Sequence, residues 1–145
     1  MEITRIFVSG FVATSAMTAF SYIVSNIRNK QFREPELLNK LLSKSNFFRL
    51  ELSKTSIAGW ILHYIIGWIF VVLFELIWNI ELIPLSVLSG ILLGFAAGII
   101  GVLGWQIMFS LNKNVKKIKW SEYYFQLIIA HIIFGICAVG IYLIW

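Results

Sequence analysis

Four stretches of this chain, approximately Ile6 to Ile27, Ser56 to Trp78, Leu82 to Leu111 and Tyr123 to Trp145, run almost without charge. Crossing a hydrocarbon layer of ~30 Å takes about 20 apolar residues in a helix. Lipid offers no water to hydrogen-bond the backbone, so such stretches must close their own bonds, as helices do. Composition agrees, with 59% hydrophobic residues and 16% aromatics over 145 residues and a mean hydropathy of +0.85, where soluble domains hold about 45–50% apolar residues. The expected fold is all-α: a polytopic membrane protein, one domain over residues 1–145, built as a four-transmembrane-helix bundle. The first stretch reads as a retained span, because only Arg5 precedes it as a positive charge and no convincing small-residue cleavage site follows. The third stretch is longer than one crossing needs, so it is expected to tilt, or its opening Ile83-Pro84-Leu85-Ser86 belongs partly to the turn, with Pro84 suiting the first turn of the helix.

Eleven of the twelve Lys and Arg fall in two places, Arg28 to Lys54 and Lys113 to Lys119. The positive-inside rule makes both loops cytoplasmic and points both termini outward. A net charge of +5 concentrated beside membrane spans marks topology and anionic lipids rather than nucleic acid.

The first basic loop contains Glu34-Pro35-Glu36-Leu37-Leu38-Asn39-Lys40-Leu41-Leu42. Pro35 suits a first helical position, Glu34 and Glu36 suit the positive end of the dipole, and the leucines share a face. A short amphipathic helix over about 35–43 follows, lying on the inner leaflet with Phe47 and Phe48 as anchors, or else docking a cytoplasmic partner. Trp60, Trp78, Trp120, Tyr123, Tyr124 and Trp145 fall near span ends, as belt aromatics do, whereas Trp68 is mid-span.

Gly10-Phe11-Val12-Ala13 in the first span resembles Gly94-Phe95-Ala96-Ala97 in the third, and an H-x-x-x-G motif occurs in both the second and the fourth. This pattern would make the bundle two tandem helical hairpins, an internal repeat. Gly90, Gly94 and Gly98, like Gly10, Thr14 and Thr18, recur every fourth residue, as ridges that let helices approach closely. They place spans one and three at the centre. Four spans enclose little volume, so a homo-oligomer or a membrane protein partner is expected.

The two motifs, His63 with Gly67 and His131 with Gly135, hold the only histidines. Each histidine lies roughly 10–12 Å from the cytoplasmic end of its span, at ~1.5 Å per residue. Three roles fit. The pair can ligate one haem, with Gly67 and Gly135 leaving room for the porphyrin. It can carry protons or bind a polar solute or a quinone head group. Or each ring bonds a hydroxyl or carbonyl on a neighbouring helix, with Thr18 and Ser21 at similar depth and Thr14 one turn deeper. The hydroxyls of Thr14, Ser15, Thr18 and Ser21 can themselves return to the preceding turn.

Glu75, one turn from the outer end of its span, is expected at the boundary, and Gln106 and Gln126 near the opposite interface. Paired carboxylates, a Ser/His/Asp set, a phosphate loop and a metal-ligand cluster are all missing from the sequence, which argues against hydrolytic or phosphoryl chemistry. The single Cys137 excludes an internal disulfide or thiolate metal site.

Gly10-Phe11-Val12-Ala13-Thr14-Ser15-Ala16-Met17-Thr18 resembles the G-x-x-A-T-x-x-M-T start of small bacterial four-span membrane proteins classed as domains of unknown function, and His63 with Gly67 is similar to their second span. The resemblance implies a bacterial inner-membrane protein and carries no established activity or cofactor. The functional expectation is a transport or accessory membrane component whose binding residues are His63, Gly67, His131, Gly135, Thr14 and Thr18. The rival is a redox protein holding haem or quinone between the histidines.

Overall fold

The computed structural model describes residues 2–44, 52–111 and 120–145. Among them are five helices and no strands: α1 (Ile3–Arg28), α2 (Glu34–Lys44), α3 (Ile57–Asn79), α4 (Val87–Leu111) and α5 (Trp120–Ile144). All but α2 are long and apolar enough to cross a membrane. Phe47, Phe48 and the lysines of the second basic loop lie outside the described residues.

Local chemistry sets the helix ends. Asn29 stops α1 by turning left-handed at φ 50°, with the Lys30 N–H closing on the Ser25 carbonyl at 3.1 Å. Glu81, at φ 56°, ends α3 in the same way, with Leu82 N–H on the Ile77 carbonyl at 3.2 Å. Before α4, the Ser86 hydroxyl accepts from Ser89 N–H at 3.2 Å and the Ser89 hydroxyl accepts from Ser86 N–H at 3.1 Å, a reciprocal cap. That cap gives Ile83-Pro84-Leu85-Ser86 to the turn, the second of the two expectations, and corrects only the place of Pro84, which precedes the first turn of the 25-residue α4.

The four long helices run antiparallel, with α5 packed on both α4 and α1, and α1 packed in turn on α3. The centre is therefore α1 and α5, which corrects the expectation for the third span: α4 lies at the edge. Its small-residue ridge is used against one neighbour only. A Cβ on Gly90 would stand 2.6 Å from Val139 and 2.7 Å from the Gly135 carbonyl, one on Gly94 would collide with the His131 carbonyl, and one on Gly98 would stand 3.0 Å from the Ile128 Cα. With lipid supplying no hydrophobic drive between helices, this close approach is what joins α4 to α5. Outward faces are apolar, as in the stripe Ile61, Ile65, Ile69 and Leu73 of α3 and its counterpart Leu92, Phe95, Ile99 and Leu103 of α4.

Helix α2 does not lie flat with its leucines in lipid. It folds back over one end of the bundle and packs on α3, burying Leu37, Leu38 and Leu41 against Trp105, Phe109, Tyr123 and Leu127. Asn39 fastens it: its amide donates to the Lys54 and Ser56 carbonyls at 3.1 and 2.6 Å, and its carbonyl accepts from Gly59 N–H at 2.7 Å, capping the start of α3. The leaflet orientation loses because these orphan groups at the start of α3 need partners and the apolar face finds a protein surface to cover.

Gly59 makes this docking possible, since a Cβ there would collide with the Pro35 carbonyl and stand 2.8 Å from Asn39. Gly59→Ala is expected to raise the alkylation rate of a cysteine placed at Leu41, in a Cys137→Ser background, by roughly tenfold. Gly140→Ala, where nothing lies within 4 Å, is the control. Equal rates in the two variants would show that α2 docks without this close approach.

At the opposite end Glu75, expected at the boundary, is 1% exposed and pairs with Arg5 at 3.3 Å. The Arg5 guanidinium also lies over the Tyr142 ring at 4.4 Å. The first turn of α1 thus reaches inward to neutralise a carboxylate on α3, and α1, α3 and α5 are tied together there.

Candidate functional site

Helices α3 and α4 meet beside their turn, where Trp78 Nε1 donates to Ser89 Oγ at 3.1 Å, and pack only sparsely beyond it. The gap between them holds a cavity of about 210 Å³. Its walls are mostly apolar: Met17 of α1, Ile66 and Phe70 of α3, Ile100, Trp105 and Met108 of α4, Leu127 and Phe134 of α5, and Leu38 of α2 as a lid. Three side chains with acid–base chemistry enter it, His63, His131 and Glu34. Gly67, Gly101 and Gly104 complete the lining, and the glycines of α4 keep that wall low.

His63 is held by α1. Its Nε2 lies 3.0 Å from Thr18 Oγ1, and the same hydroxyl donates back to the Thr14 carbonyl at 2.6 Å. Gly67 lines the cavity edge, but the side chain of Thr14 fills the space where its Cβ would stand. Thr14 Oγ1 is itself buried without a hydrogen-bond partner. Ser15 returns its hydroxyl to Phe11 at 2.7 Å, as its helix position allows.

His131 is held by its own helix, with Nδ1 2.8 Å from the Leu127 carbonyl. Its partner Gly135 does not face the cavity, because a Cβ there would collide with the Gly90 carbonyl and stand 2.9 Å from Gly94. Of the two motif glycines, only Gly67 therefore also edges the cavity. Both glycines are filled by neighbouring helices, so a porphyrin finds no room against either, and the residues present do not fit a haem held between these rings. Among the described residues, no three His, Cys, Asp or Glu side chains converge to hold a metal ion.

Glu34 stands in the first turn of α2, as expected, but sequence reasoning did not count it among the site residues. It is 1% exposed, and Ser21 donates to its Oε1 at 2.8 Å while Gln126 Nε2 donates to Ser21 at 2.6 Å. Gln126, expected at the interface, is thus an interior residue, whereas Gln106 is exposed. Burial pushes the Glu34 carboxyl up to about 7, its hydrogen bonds offsetting this only in part. Glu34 Oε2 and Gln126 Oε1 are both buried acceptors lacking a donor; a proton on Glu34 supplies one. A helical wheel carries the signal that would have found it: Glu34 precedes Leu38 by four residues and Leu41 by seven, on the apolar face. Glu36 lies off that face, in ion pairs with Arg33 and Lys54 at 2.9 Å each.

Of the six expected site residues, His63, Gly67 and His131 line one cavity, Thr18 and Thr14 support it from α1, and Gly135 packs away from it on α4. No family model matches this chain, and neither a curated protein nor a solved structure is significantly similar to it.

Proposed function

We propose that this chain is a transport or accessory membrane component that takes a small, mainly apolar molecule with a polar group from the lipid phase into the cavity between α3 and α4. The observation that carries this reading is the convergence of His63, His131 and Glu34, from three separate helices, on one space otherwise walled by hydrocarbon. Polar side chains at such depth are costly, and they are retained where they meet one another or a ligand. Ile100 is 56% exposed while lining the same space, so the gap opens sideways toward lipid. A redox reading survives in narrower form, with a quinone-type head group as the polar end.

The same reading puts the chain in a bacterial inner membrane, with the basic loops and α2 on the cytoplasmic side against anionic lipid and both termini outside. An internal repeat gains support from the use of Gly67 and Gly135, each packed on the small-residue ridge of the preceding span. Self-association would use the lipid-facing stripes of α3 and α4.

Native mass spectrometry of protein extracted from its own membranes tests the binding function. Wild type is expected to retain a small hydrophobic adduct that His63→Ala/His131→Ala loses. Gly104→Leu, which fills the cavity from a position with nothing within 4 Å, is expected to lose it as well. An unchanged adduct in both folded variants would remove the cavity as the binding site.

A further inference from the structure

Resting on the binding reading just given, we infer that the cavity selects a ligand whose polar group donates a hydrogen bond, an alcohol or hydroquinone on an apolar body, over one that can only accept. The proton count of the walls carries this. Thr18 has one hydroxyl proton, and we assign it to the Thr14 carbonyl, which can only accept and lies nearer, at 2.6 Å against 3.0 Å for His63 Nε2. The contact between Thr18 Oγ1 and His63 Nε2 at 3.0 Å therefore has the ring as donor, and a neutral His63 is left with a bare Nδ1. The Leu127 carbonyl likewise can only accept, so His131 Nδ1 carries the proton and Nε2 is bare. That Nε2 looks past Gly101, where an added Cβ would stand 3.3 Å from it.

Neither bare nitrogen is among the buried atoms sealed off without a partner, and both rings line the cavity. The third polar group, Glu34, keeps its partnerless Oε2 buried behind the cavity surface. When Glu34 is protonated, that proton stays inside the buried network, where Gln126 Oε1 is a second acceptor lacking a donor. Apart from the indole of Trp105, the wall thus presents acceptors only. An ether, ester or quinone oxygen brought here would face lone pairs, whereas a hydroxyl completes one of them. Leaving buried polar groups unpaired is what makes such discrimination strong.

The test uses purified full-length protein in nanodiscs, with two matched probe pairs: a branched C15 alcohol against its methyl ether, and a decyl-substituted hydroquinone against the corresponding quinone under anaerobic conditions. Affinity is read from the ring ¹⁵N resonances of protein labelled in histidine, which has two such residues. The donor of a pair is expected to bind about tenfold more tightly than its masked partner and to shift a pyridine-type nitrogen. The pair with the larger preference identifies the source, alcohol or hydroquinone. Equal binding within both pairs, abolished by Gly104→Leu, overturns donor selection and leaves the binding cavity standing. Absence of binding by all four probes at saturating membrane concentration overturns both.

Discussion

Replacing Gly135 by alanine is expected to drive α4 away from α5 and lower the melting temperature in detergent by roughly 5–10 °C, from an overpacking cost of about 2–3 kcal/mol. The added methyl would meet the Gly90 carbonyl and the Gly94 backbone, and neither is the flexible end of a side chain. Relief would require moving a helix. Because α4 packs extensively on α5 but sparsely on α3, a shift at this seam leaves α4 with little else to hold it. The matched control is Gly104→Ala, on α4, the helix that the Gly135 methyl would displace, with nothing within 4 Å, which should melt within about 1 °C of wild type. Differential scanning fluorimetry of the two variants side by side decides the matter. Similar melting points would mean that the ridge is not the seam.

The second large effect concerns pH and α2. With its carboxyl held near 7 in the docked helix and near the ordinary value when α2 is free, Glu34 favours docking most at low pH. Below about pH 4.5 the group is neutral in both states, and docking carries no ionisation penalty. As pH rises, the free helix gives up its proton first, while the docked one keeps it until about 7. Docking therefore weakens across pH 4.5–7, and by pH 8 has lost roughly 3 kcal/mol.

Hydrogen exchange in α2, corrected for intrinsic chemistry, should accelerate more than tenfold between pH 5 and pH 8. His63 and His131 line the same cavity and Tyr123 of α5 lies buried near the carboxyl, so Glu34→Gln is the decisive comparison. That variant should show protection nearly independent of pH. If it keeps the wild-type slope, the pH response belongs to another group. A lid that loosens as Glu34 ionises would also expose the cavity from the α2 end.

The class of this protein, its four spans and the helix in its first basic loop follow from the sequence alone, because each depends on local solvent preference. A segment such as Val87–Leu111, with no charged residue, has no stable place in water, and α2 shows its period within eleven residues. The depth of His63 and His131 follows as well, since depth is a distance along one helix. The direction each face takes does not. Gly67 and Gly135 occupy equivalent motif positions, yet one lines a cavity beside Thr14 and the other is pressed against Gly90. Glu75 and Gln126, near span ends by count, turn inward because Arg5 and Ser21 wait for them on α1.

Glu34 separates the two kinds of information most clearly. Its place on the apolar face of α2 is local and was readable from helical spacing. That this face covers the mouth of the bundle rather than a leaflet depends on Gly59 admitting Pro35 and Asn39, and on Tyr123 and Leu127 offering a surface to cover. Hydrophobicity is a property of each segment and acts before the helices meet. Which side chains share the cavity is decided only when small residues let particular backbones approach, and that depends on the shapes of two helices at once.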